Sequence, residues 1–121
     1  MSSTTLTILD STTFGTPSGN YDGSSLEWIS DAAKGVGYYR GQGSLQTVTI
    51  QVTGFEGNIN IEGSLDNSVT STAWSSLYEY SNSSGVITDY HPVNLTGNFV
   101  WLRATITNFD AGVINSITVT Y

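Results

Sequence analysis

The chain has 121 residues, 38% hydrophobic and 11% charged, with three cations, ten carboxylates, a net charge of -7 and no cysteine. That length suits a single domain spanning residues 1–121, able to bury roughly two thirds of the surface its unfolded form exposes, and the lack of cysteine excludes disulfides and Cys-based zinc or redox sites. Lys34, Arg40 and Arg103 cannot build the basic patch that nucleic acid or anionic lipid requires, so neither nucleic acid nor a membrane is expected as a partner.

The opening "MSSTTLTILD" has no basic region and no apolar run, so no secretory signal is expected and synthesis in the cytoplasm is. No segment approaches the roughly 18 consecutive apolar residues of a membrane span. A first strand is expected near residues 4–9. Residues 11–25, "STTFGTPSGNYDGSS", then form the longest unpatterned stretch, a Gly/Ser-rich loop around Pro17. "SSLEWISDAAKG" holds the chain's best helix signal, a turn or two ended by Gly35, although residues 26–30 also read as a strand.

Further strands are expected near 36–41, 46–53, 58–65, 75–80, 86–90, 98–107 and 113–121. Alternation of period two carries the assignment. Val48, Ile50 and Val52 share one face, as do Ile59, Ile61 and Leu65 with Gly63 between them. In the last strand Val113, Ile117, Val119 and Tyr121 are expected on one side, opposite Ile114. "TGFEG" and "NFDAG" read as hairpin connections whose glycines supply positive φ. Short strands of Thr, Val, Ile and Tyr cut by Gly, Asn and Ser predict an all-β fold, an antiparallel β-sandwich of jelly-roll type.

The chemistry-bearing motifs are few. His91 is the sole histidine, and its place before Pro92 in "DYHPVN" reads as a loop. No G-x-S-x-G, H-E-x-x-H or phosphate loop accompanies it, and no spacing singles out a pair among Glu56, Glu62, Asp66 and Glu79 as acid and base. No enzyme, cofactor or metal is expected.

Aromatic residues point to binding instead. There are fourteen, half of them tyrosines, and such side chains favour places with one dry and one wet end. "FVWLRATI", residues 99–106, directs Val100, Leu102, Ala104 and Ile106 one way. Phe99, Trp101 and Arg103 point the other way, where a polar face is the rule. "LYEY" places Tyr78 and Tyr80 on one face, and "GYYRG" sends Tyr38 and Tyr39 opposite ways if extended. These seven residues are the candidate partner contacts. Trp28 and Trp74 are expected in the core or at its rim.

Two resemblances bear on function. "INIEGSLDNSVTSTAWSSL" and "NFVWLRATITNFDAGVINSITV", roughly residues 57–120, resemble discoidin-type and related carbohydrate-binding jelly-roll modules. There a strand ends in S-x-D, a loop follows, a Trp opens the next strand, and a late apolar-Trp-apolar-Arg strand precedes the last. "VTGFEGNINIEGSLD" and "NLTGNFVWLRATITNFDAGVINSITVTY", over about the last 75 residues, are similar to small structural proteins of contractile-tailed bacteriophages. The second resemblance implies a non-catalytic virion protein released by lysis, most simply a capsid decoration or cement protein present as a homo-oligomer in many copies. Its partner would be the major capsid protein, or a tail protein if the place is tail, neck or baseplate. The first implies a glycan-binding adhesion module as the rival.

Overall fold

The computed structural model describes residues 5–39, 45–66, 73–82 and 88–121. In chain order they form β1 (Thr5–Leu9), β2 (Thr12–Thr13), β3 (Trp28–Ile29), β4 (Ala33–Lys34), a 3-10 turn at Val36–Tyr39, β5 (Leu45–Ser64), β6 (Ser75–Asn82), β7 (Thr88–Thr96) and β8 (Trp101–Thr120).

Two 20-residue strands organise the fold. β5 and β8 pair antiparallel from Thr47↔Thr120 to Ser64↔Trp101, and each belongs to two sheets. The first half of β5 pairs β7, and the second half of β8 pairs β1, giving the order β7-β5-β8-β1. The second half of β5 pairs β6, and the first half of β8 pairs β3 and β4, giving β6-β5-β8-β3/β4. Side chains of β6 meet those of β7, and β1 meets β4, so the two halves face each other as a sandwich. With continuous bent strands counted in each sheet they enter, this is the eight-stranded jelly-roll order.

The core follows from the alternation. Val48, Ile50 and Val52 meet Val119, Ile117 and Ile114 across the ladder, and Ile59 and Ile61 meet Ile106 and Ala104. All ten are completely buried, each large one contributing roughly 1.5–3 kcal/mol relative to exposure. Phe55 and Phe109, ring centroids 5.7 Å apart, fill the core at the bends, joined by Tyr21 and Trp28.

Several expectations need correction. "TGFEG" and "NFDAG" are not hairpins. The strands they were expected to join do not pair with each other but run on as one strand through a bend. Positive φ does occur there, at Gly54, Gly57 and Gly112, with Asn108 as well. The alternation expected over 113–121 fails because the register shifts between Gln51↔Ser116 and Val52↔Ile114, a bulge that leaves Asn115 extra. Ile114 is therefore buried and Val113 half-buried.

Gly35 precedes the helical turn instead of ending one, and Val36–Tyr39 is 3-10 rather than extended. Residues 40–41 and 86–87, and most of the loop after Asp66, lie outside the described residues. His91 sits within β7, not in a loop. Pro92 is tolerated beside it because β7 is an edge strand, so the missing N–H faces away from β5.

The loop at 11–25 lies against the body. Phe14 N–H donates to Gly112 O at 2.9 Å, Ser18 and Tyr21 exchange backbone bonds, and Tyr21 is 1% exposed. Asp22 caps the Ser24–Ser25 turn. The N–H of Ser24, then the hydroxyl and N–H of Ser25, hold its carboxyl down at about 2.

The bend at Gly54 and Gly112 combines close backbone approach with positive φ. Gly112 has φ +89, and a Cβ there would fall on the Gly54 carbonyl. Gly112→Ala should lower stability by about 2 kcal/mol or more, the sum of left-handed strain and the displaced backbone. Urea unfolding with an unchanged m-value measures it. A variant as stable as the parent would show that the two backbones do not need to touch.

Candidate partner-contact face

The outer side of the second sheet is built by alternation. Trp101, Arg103 and Thr105 alternate with buried Leu102, Ala104 and Ile106, and Asn60 and Glu62 alternate with Ile59 and Ile61. Their side chains therefore point away from the core. β4 sets Lys34 opposite Trp101, and the 3-10 turn brings Tyr38 over it.

Two groups stand side by side on this face. Tyr38 meets Trp101 edge-on at 5.4 Å, and the Lys34 ammonium lies 4.5 Å from the Tyr38 ring centre. Beyond Ser64, Arg103 Nε donates to Glu62 Oε1 at 2.7 Å, and Thr105 donates its hydroxyl to the same oxygen at 2.9 Å. The guanidinium carbon lies 4.2 Å from the Trp74 ring centre. Ser76 donates to Asn60 Oδ1 at 2.6 Å, continuing the polar row. Arg103 and Glu62 are both half-buried, and the ion pair holds Arg103 against Trp74 rather than leaving it to sweep through solvent.

Phe99 is not on this face, although simple alternation would put it there. The ladder of β8 begins at Trp101, and Phe99 turns over Gly63, an inward position in step with Ile59 and Ile61. A Cβ on Gly63 or Gly97 would strike the Phe99 ring, and one on Gly35 would strike its carbonyl. Gly35 N–H donates to Val100 O and Gly37 N–H to Phe99 O, at 2.8 and 2.9 Å. Four glycines thus make room for one aromatic plug at the end of the core. A cavity of about 340 Å3 lies beside it, lined by Phe99, Trp74, Leu65, Asp66 and Ser75.

Tyr78 and Tyr80 share a face, as expected, but it is the inner one. They join β6 to β7 where the two sheets meet. Tyr78 Oη lies 2.6 Å from His91 Nε2, with the rings stacked at 5.6 Å. Tyr80 donates to Asp89 Oδ2 at 2.8 Å and is 7% exposed. Tyr39's side chain lies outside the described set. Of the seven candidate residues, the structure brings Tyr38, Trp101 and Arg103 together outside, sets Phe99 at the core's end, and places Tyr78 and Tyr80 inside the opposite seam.

Sequence reasoning named Lys34 only as a cation and weighed Glu62 only as an acid or base, placing neither on this face, and put Trp74 at the core or its rim. The outward parity of Glu62 is visible in "NINIEG", but its register opposite Arg103 is not.

The chain matches no known protein family, no characterised protein and no solved structure.

The Tyr80–Asp89 bond has a pH signature. Burial first, then the hydrogen bond and charge of Asp89, push the Tyr80 phenol from 10.0 up to about 12. The unfolded chain releases this proton near pH 10 and the folded one does not. The stabilisation is complete below pH 10 and is lost as pH rises towards 12, by up to roughly 2 kcal/mol. Urea midpoints between pH 9 and 12 should fall less steeply for Tyr80→Phe than for the parent. Equal slopes would place the phenol in water.

Proposed function

We propose that this chain is a non-catalytic structural protein of a bacteriophage particle, attached in many copies to the capsid surface as a decoration or cement protein. The observation that supports this reading is the outer face of the second sheet, where Tyr38, Trp101, Arg103 and Trp74 are held in place by the chain's own ladder, ion pair and ring contacts. Aromatic and Arg anchors of this kind dominate protein interfaces, and holding them in position before contact lowers the entropy cost of binding. A protein that binds the assembled shell, but not its separated parts, stabilises the shell by mass action. A place on tail, neck or baseplate would use the same face, and imaging particles that carry labelled protein distinguishes these sites.

Trp101 faces outward, so Trp101→Asp should fold with a melting temperature close to the parent's. It should lose attachment to purified particles roughly tenfold or more, as truncation of an interface anchor does. Sedimentation of the variant with particles measures both fold and attachment. Undiminished attachment removes this face from the contact, and a variant that unfolds shows Trp101 serving the core.

A second reading, glycan binding, has its own support in the cavity between Trp74 and Phe99. An aromatic wall with a carboxylate and a hydroxyl at its edge suits a sugar ring. Selective hits on a glycan array, abolished by Trp74→Ala and kept by Trp101→Asp, would favour it over shell attachment.

A further inference from the structure

The two seams of the sandwich are closed differently. On the β6/β7 side, two tyrosine bonds run from one sheet to the other, Tyr78 to His91 and Tyr80 to Asp89. Pro92 also removes a donor from the outer edge of β7, which discourages a further strand there.

The β1 side is looser. β1 has five residues, among the described residues pairs β8 alone, and its register slips between Thr7 and Leu9. A cavity of about 200 Å3 opens behind it, lined by Thr7, Leu9, Asp10, Asn20, Ser30 and Asp31. β1 is the first element in chain order, so moving it displaces no other described element. Asp10 and Ser11 alone separate it from β2, which stays paired further along β8 at Thr12↔Ile114. β8 would also keep its long ladder with β5 if β1 left.

What β1 brings is specific. Ile8 and Leu9 are buried in the core, and Leu6 packs against it. The vacated edge of β8 therefore demands a strand of this sequence and register, and the strand best matched to it is the β1 of a second copy. Exchange re-forms every bond and buried side chain that detachment breaks, so the cost reduces to association entropy and hinge geometry. A two-residue hinge opens more readily into an extended crossing than a long loop does.

We propose that β1 is an exchangeable strand, by which two copies of this chain join, each laying its β1 on the partner's β8. This pairing is independent of the particle reading and uses a different side of the sandwich from the Trp101 face.

Thr5 and Thr120 face each other across the ladder, their hydroxyls 3.0 Å apart, and the chain has no cysteine of its own. The test is the double variant Thr5→Cys/Thr120→Cys, refolded from a mixture of isotope-labelled and unlabelled chains at low and at high concentration, then oxidised. Expected at high concentration is a covalent species of twice the chain mass whose 5–120 disulfide joins labelled to unlabelled peptide. Three glycines inserted between Asp10 and Ser11 should return it to single-chain mass. Disulfides confined to one chain at every concentration, or dimers linked 5–5 or 120–120, would overturn the proposal. Light scattering on the unmodified chain, refolded at the same concentrations, guards against a variant that fails to fold. A twofold mass that persists on dilution supports exchange, and a strictly single-chain mass overturns it.

Discussion

Everything in this molecule hangs on one pairing, β5 against β8, carried through a bend at which its register shifts three times. A straight two-stranded ribbon of that length would bury nothing. Folded at its middle, the ribbon brings its own two halves face to face, and one set of inner side chains then serves as both walls of the core. The bend is possible because two backbones can approach at Gly54 and Gly112 as no pair of larger residues could. Phe55 and Phe109, one beside each of these glycines or near it, turn inward and fill the wedge that the bend opens. The short strands are consequences. β1, β3, β4, β6 and β7 each complete an edge of a sheet whose centre the ribbon has already fixed.

This arrangement explains why aromatic side chains end up in three different environments. Inside the bend, Tyr21, Trp28, Phe55 and Phe109 are structural, as burial and mutual ring contacts require. In the seam between β6 and β7, Tyr78 and Tyr80 bind two sheets whose backbones cannot bond each other there. Outside, Tyr38, Trp101 and Trp74 lie on a surface already paired below, so their removal should leave the ladders intact. That third group is where specificity can be carried at little cost to the fold.

Legibility in the sequence tracks how local each cause is. The all-β class and the paired inner faces of "TVTIQV" and "NINIEG" follow from period-two alternation, which is a property of consecutive residues. The glycines of "TGFEG" and "NFDAG" announced positive φ, but not whether the chain reverses there or bends and continues. That depends on which strand lies alongside, a fact spread over sixty residues. The bulge at Asn115 hides for the same reason, since it is defined by what Gln51 and Val52 oppose. On the candidate face, the outward parity of Trp101 and Arg103 was readable. The misplacement of Phe99 was not, because it rests on four glycines from three separate segments. Tyr38 over Trp101 required knowing that "VGYY" coils into a 3-10 turn instead of extending.

Charge narrows where a neighbour could touch this protein. At a net charge of -7, any two copies repel, and so does an acidic partner, over the roughly 8 Å that physiological salt leaves unscreened. Approach is least opposed where carboxylates are neutralised. Both cations whose positions are described, Lys34 and Arg103, lie on the outer face of the second sheet, and the Glu62 carboxylate there is already bonded to Arg103 and Thr105. At the bends, by contrast, Glu56 and Asp110 face one cavity with no cation among its described lining. A contact made through Trp101 thus meets rings, a half-buried ion pair and little net charge. Those are the conditions under which desolvation costs least and ring burial contributes most, so the proposed contact would fall on the face that the ladder already orders.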